Sequence, residues 1–208
     1  MAYKVLNNVS VKDVTSSDLL SLKTDLLVIV INKNTKDKVV NQLAKDVSSH
    51  LKESGSSVLV PNAKSFNAKN VLLVKGFQDS DQIHKLISMY QSIAQKGNQL
   101  KARDISIMPG TVYPKGKCEM WLIEMVAKTI ESNVYIFSET CNKTAKKPSV
   151  KKLNILVSSL TKSDLIKAKN AAKKGYAIGE GVNSAKYLGD LPANHCTPRI
   201  IEKKVKAM

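Results

Sequence analysis

Arginine is almost absent from this 208-residue chain: Arg103 and Arg199 are the only two among 33 basic residues, so the net charge of +16 is a lysine charge. Surfaces that read phosphates or base edges favour the bidentate arginine fork. The charge is therefore read as a solvated basic face, with weak, salt-sensitive contact to DNA as the alternative. Aromatic residues make up only 5% of the chain and do not interleave with the lysines, which argues against a stacking platform for single strands. Cysteine is sparse too. Cys118, Cys141 and Cys196 are odd in number and far apart, which excludes a disulfide framework and fits reduced thiols in a cytoplasm. No apolar run approaches the roughly 18 residues of a membrane span. The start, MAYKVLNNVSVKD, lacks the apolar core and small-residue cleavage site of a signal peptide. The expectation is a cytoplasmic protein with no membrane partner.

The usual chemical signatures are missing as well. His50, His84 and His195 are the only histidines, and none has a second histidine or a carboxylate four residues on. His195 and Cys196 are adjacent, which points them in divergent directions, and no Cys-x-x-Cys pair exists. There is no Gly-x-Ser-x-Gly elbow around a nucleophile. The loop Gly110–Lys117 has two glycines and two lysines ahead of a helix, but not the Walker spacing or its Ser/Thr, and reads as a plain loop. No catalytic, cofactor-binding or metal-ligating residue is assigned within this chain.

What is present is strand–helix alternation. Strands are expected at 3–11, at Asp25–Asn32 (DLLVIVIN, a continuous run of the fully buried kind), at Ser57–Val60, Asn70–Lys75, Asp104–Met108, Asn133–Phe137 and Leu153–Val157. Helices are expected after Thr35, with Val39, Leu43 and Val47 on one face, and after Asp79 or Ser80, ending at Gly97-Asn98. Another spans about Lys117–Glu131, and Thr140–Ser149 reads as polar loop. The pattern predicts an α/β three-layer sandwich with a mixed, largely parallel sheet of about six strands, followed by a long linker helix.

That last helix begins near Ser163-Asp164. Leu165, Ala168, Ala172, Gly175, Gly179, Val182 and Ala185 form a stripe of small residues at three- and four-residue steps. Gly175, Gly179 and Gly181 each cost about 1 kcal/mol against alanine in a helix interior, which calls for close packing on another element, one expected to lie largely outside this chain. The domain reading is 1–160 for the α/β unit, 161–190 for an interdomain linker helix and 191–208 for the start of a further domain. Between Cys141 and Lys174 ten lysines face a single acid, Asp164. Lys143, Lys146, Lys147, Lys151 and Lys152 are the candidate phosphate or nucleic-acid contacts.

After the helix come Gly189-Asp190-Leu191-Pro192-Ala193-Asn194 and Cys196-Thr197-Pro198. Pro192 stops the helix, Asn194 suits a turn, and Thr197 caps a new helix with Pro198 at its first position. This wording resembles the segment leading into the catalytic domain of the leucyl (cytosol) aminopeptidases, with Gly189-Asp190 standing where Gly-Asn or Val-Asn is common. The order of upstream elements is similar to the N-terminal domain of that family, which is macro-domain-like. The resemblance implies a parent enzyme, a hexameric hydrolase that removes N-terminal residues from peptides using two divalent metal ions, zinc or manganese. The metal-binding and catalytic motifs of that family lie in its C-terminal domain, and none of them occurs before Met208. The expectation is that this chain is the N-terminal assembly or regulatory domain, inactive alone, with its own catalytic domain as partner. The competing reading is a macro-like or lysine-rich nucleic-acid-binding module without peptidase activity.

Overall fold

Leu26, Leu27, Val28 and Ile29 expose no surface at all, the signature of a strand covered on both faces. They belong to the computed structural model's central strand; the model describes residues 5–31, 51, 53, 55–77, 83–110, 113–139, 147–158 and 160–206. Six strands, β1 (Asn8–Asp13), β2 (Thr24–Ile31), β3 (Ser57–Pro61), β4 (Ala68–Lys75), β5 (Asp104–Met108) and β6 (Lys152–Val157), form one sheet in the order β1-β6-β5-β2-β4-β3. Every neighbouring pair is parallel except β3, which runs antiparallel along β4 at one edge. The helices are α1 (Ser16–Ser21), α2 (Ile83–Gln99), α3 (Glu119–Val134), α4 (Lys162–Asp190) and α5 (Pro198–Lys206).

Alternate residues divide the core into two layers. Leu26, Val28, Val74, Ile105, Ile107, Leu153 and Ile155 pack with the inner faces of α2, α3 and α4. Leu27, Ile29, Val71 and Leu73 face the other way, with Leu19 of α1 and Phe66 of the β3–β4 connection. The three-layer, mixed and mostly parallel sandwich expected from the sequence is the one observed. α1 is a short helix that the periodicity does not reveal. It is set by a capping box: the Thr15 side chain accepts from the Asp18 N–H while the Asp18 carboxylate accepts from the Thr15 N–H.

Two expectations fail in informative ways. Asn133–Phe137 is not a strand: α3 continues to Val134, and residues 135–138 take no regular form. Gly97-Asn98 does not end α2, which runs on to Gln99. Gly97 is buried, and a Cβ there would lie 2.6 Å from Ile105 Cδ1, so it is a contact glycine; the left-handed residue just past the helix is Lys101, at φ 53°. The helix expected after Thr35, with Val39, Leu43 and Val47, lies outside the described residues, as do Asp79 and Ser80.

α3 is the hub. Leu122, Ile123, Val126, Ala127 and Ile130 have no exposed surface. Against it lies α4, and the partner of the small-residue stripe is therefore inside this chain rather than beyond it. A Cβ on Gly175 would sit 2.0 Å from the backbone oxygen of Glu124, and one on Gly179 would sit 2.7 Å from Glu131 Cβ and 3.1 Å from the Lys128 oxygen. Both distances forbid a side chain while the helices remain in contact. Gly181 is different, since beyond its own neighbours and helix backbone no atom lies within 4 Å of where its Cβ would be.

Gly175→Ala is expected to cost about 1–3 kcal/mol or more, because backbone rather than a movable side chain blocks the methyl group. Gly181→Ala is expected to stabilise by about 0.4–1 kcal/mol through reduced freedom of the unfolded chain. Urea denaturation of both variants checks the pair, and equal effects would contradict this packing.

Candidate functional site

Among the described residues no three of His, Cys, Asp or Glu converge on a point that could hold a metal ion. His84 lies exposed on α2, and His195 and Cys196 lie in the turn after α4, where both of their N–H groups donate to the Pro192 carbonyl. Cys118 is exposed at the start of α3, beside the loop that ends with Gly116 at φ 77°. The first turn of α3 carries the acid Glu119; burial, aided by Asp164, raises its carboxyl above the ordinary range. His50, Cys141, Thr111, Lys143 and Lys146 lie outside the described residues.

The eight described lysines of the ten-lysine run divide between two places. Lys151 and Lys152 sit at the amino end of β6, where both of their N–H groups donate to the Arg103 carbonyl, and Lys147 lies just upstream. Lys162, Lys167, Lys169, Lys173 and Lys174 line α4, where Lys167 pairs with Asp164 at 3.0 Å and Lys174 with Glu124 at 3.1 Å.

The seam between α3 and α4 holds the chain's most unusual group. Glu131 is a carboxylate with 0% exposure on α3, whose buried residues also include Ala127, Ile130 and Val134. It accepts the N–H of Val5 at 2.8 Å and of Leu6 at 3.0 Å, so it ties the segment ahead of β1 to the helices. Asn183 of α4 donates its amide nitrogen to the Glu131 carboxylate at 2.9 Å and to the Glu131 carbonyl at 3.0 Å. Two acceptors on one side fix the orientation of that amide and leave Asn183 Oδ1 buried without a partner. Tyr176 completes the tie, donating to the Leu6 carbonyl at 2.8 Å. Burial raises the Glu131 carboxyl, and Glu180 adds to this; the Val5, Leu6 and Asn183 donors oppose it.

A second group of contacts fixes the far end of α4. Tyr135 donates to Asp190 at 2.8 Å and Tyr187 to Glu139 at 2.5 Å, while Phe137 packs beside the Tyr187 ring. Lys186 donates to the Ser132 carbonyl at 2.5 Å. These contacts explain why Tyr135 and Phe137 join no sheet: their rings clasp the helix end instead. α4 stops at Asp190, Leu191 turns extended at ψ 133° ahead of Pro192, and α5 starts with Pro198. α5 buries none of its residues, although Ile201 and Val205 lie four apart on one side of it; its Lys204 ammonium sits 4.1 Å from the Tyr187 ring.

No family model matches the chain. It is 29% identical over 180 residues to a probable cytosol aminopeptidase of Vesicomyosocius okutanii subsp. Calyptogena okutanii, an alignment that covers 85% of this chain and 35% of that protein. A probable cytosol aminopeptidase of Azotobacter vinelandii is 27% identical over 209 residues, covering 94% and 41%. The cytosol aminopeptidase of Pseudomonas aeruginosa is 25% identical over 203 residues, covering 90% and 40%. Among solved structures, a tomato leucine aminopeptidase mutant superposes with a TM-score of 0.70 at 20% identity, over 96% of this chain and 41% of that one. A bottromycin maturation enzyme in complex with Mn gives 0.63 at 15% identity, over 88% and 36%. The chain thus spans well under half the length of these relatives, and the similarity is to their N-terminal domain.

Removing the buried carboxylate strands two backbone donors and the Asn183 amide. Glu131→Ala is expected to cost about 2–5 kcal/mol in urea denaturation. The pH dependence has a definite sign. The carboxyl is raised in the folded state above its ordinary 4.5, so that state binds the proton more tightly than the unfolded chain. The stability of the wild type relative to Glu131→Gln should therefore fall as pH rises from about 4.5 through the raised value, then level off. A margin that instead grows with pH would contradict the assignment.

Proposed function

We propose that this chain is the N-terminal, non-catalytic domain of a leucyl aminopeptidase, and that its work is mechanical: to hold and orient a catalytic domain. The observation that supports this most directly is the coverage of the three cytosol aminopeptidase alignments above, which take in 85–94% of this chain but 35–41% of the relative. Under this reading α4 is the interdomain linker and residues 191–208 begin the catalytic domain. α5, amphipathic yet with no buried residue, suits a segment whose apolar side packs on that domain. The parent enzyme would be a cytoplasmic homohexamer releasing N-terminal residues, leucine among them, from peptides. Two divalent ions, zinc or manganese, would supply an activated water there. The described residues of this chain do not fit such a metal pair, so its own contribution is assembly contacts and control of access to the active sites.

Rigidity of the α4 arm matters to this reading. A linker that carries a second domain can set its position only if it is fixed to the first. The Gly175, Gly179 and Glu131 contacts, with the clasp around Tyr187, supply that fixation along the second half of the helix.

A second reading has one observation in its favour. Lys147, Lys151 and Lys152 have no carboxylate partner among the described residues and stand near Lys101 and Arg103 at one end of the sheet, which would suit weak contact with DNA phosphates.

The purified 208-residue chain is expected to leave a leucine anilide unhydrolysed with added zinc or manganese. Turnover that stays with the chain through purification would overturn the proposal. For the second reading, any DNA shift seen in a gel at low salt should fall steeply as salt rises; a shift insensitive to salt would exclude phosphate contact.

A further inference from the structure

We propose that a cleft at the amino ends of β2, β4 and β5 binds small amino acids, acidic ones best. The cleft has a volume of about 460 Å³, within the range of small-molecule sites. Its floor is apolar, made by Ala63, Phe66 and Ala68, all buried. It lies at the opposite end of the parallel strands from the carboxyl-end crevice that open α/β sheets commonly use for ligands. The inference does not depend on the aminopeptidase reading.

The charges around the cleft determine what it fits. Asp25 is already satisfied: the Lys69 ammonium lies 2.6 Å from its Oδ1, and the Arg103 N–H donates to its Oδ2 at 2.8 Å. The hydrogen bond from Lys69 holds the Asp25 carboxyl below its ordinary range. Asp104 differs. It accepts the Thr24 hydroxyl and a long N–H contact from Asp25 at 3.4 Å, and among the described residues no cation pairs with it. Lys23 and Lys64, on the rim, likewise have no carboxylate partner there.

One carboxylate and two ammonium groups therefore remain uncompensated around one apolar floor. The complement is a molecule with one ammonium and two carboxylates, the charge pattern of an acidic amino acid. Its ammonium would face Asp104, its carboxylates would face Lys23 and Lys64, and its methylenes would lie over Phe66. A bare phosphate or a polyanion is less well matched than an amino acid, because Asp104, which no cation pairs among the described residues, would repel it. Asn62, held left-handed at φ 50° where the β3–β4 connection begins, fixes one rim of the cleft.

Titration calorimetry on the 208-residue chain tests this with L-glutamate, succinate, putrescine and heparin. L-Glutamate is expected to bind at least about ten-fold more tightly than succinate, which lacks the ammonium, or putrescine, which lacks the carboxylates. Asp104→Asn, which keeps the shape and an acceptor for Thr24, should erase the gap between glutamate and succinate. Lys64→Ala, on an exposed turn, should weaken both and serves if the Asp104 variant does not fold. Absence of heat from glutamate up to about 10 mM would overturn the proposal. So would equal affinity for succinate in the wild type, or displacement of glutamate by heparin, which would mark a general anion surface.

Discussion

Close approach of two helix backbones is the constraint from which most of this structure follows. α3 and α4 meet where Gly175 and Gly179 leave no room for a side chain, Gly175 lying directly against the backbone oxygen of Glu124. That contact offsets the intrinsic helix penalty of these glycines with packing that alanine could not make. It also brings Asn183 to Glu131, and Glu131 in turn to the N–H groups of Val5 and Leu6. One tight seam thereby connects the segment before the first strand, the hub helix α3 and the long helix α4.

A buried carboxylate is a costly way to make such a connection. Its desolvation is only partly offset by the three N–H donors that converge on it, and replacing any one of them leaves the charge still less compensated. The gain is directional: an apolar contact of the same area would allow the Val5–Leu6 segment to slide, whereas two backbone bonds fix its register next to β1. The aromatic clasp at Tyr135, Phe137 and Tyr187 does the same at the other end of α4, so the point where α5 begins is set relative to the sheet. For a domain whose proposed work is to position another, this fixation is the functional property.

Much of the sheet was legible in the sequence because buried parallel strands are continuous apolar runs; Asp104–Met108 matches to the residue, and the runs in β2, β4 and β6 match within two. The failures have physical causes. Val134-Tyr135-Ile136-Phe137 has strand composition, but Val134 is still needed to bury the end of α3 and the two rings are used against α4. Gly97 looked like a helix stop because a glycine near a helix end usually is one; here Ile105 fills the space its side chain would take. The stripe of small residues announced close packing correctly, yet periodicity alone cannot name the partner, which proved to be α3. Glu131 has only a faint signal in the sequence, an acid close to Ile123, Ala127 and Ile130 on a helix whose other buried positions are mostly apolar. The amino-edge cleft was out of reach of the sequence, since Lys23, Lys64 and Asp104 come from two separate connections and the first residue of β5.

The central claim is that α4 is welded to the domain through its seam with α3 and is not a loosely tethered linker. The Val5 and Leu6 amide protons report on it directly, because both are bonded to the Glu131 carboxylate inside that seam. Native-state hydrogen exchange should show these two amides and those of α4 from Gly175 to Tyr187 exchanging only with the global unfolding that releases β2. If instead they exchange through local opening while β2 stays protected, the seam is not what holds this domain together.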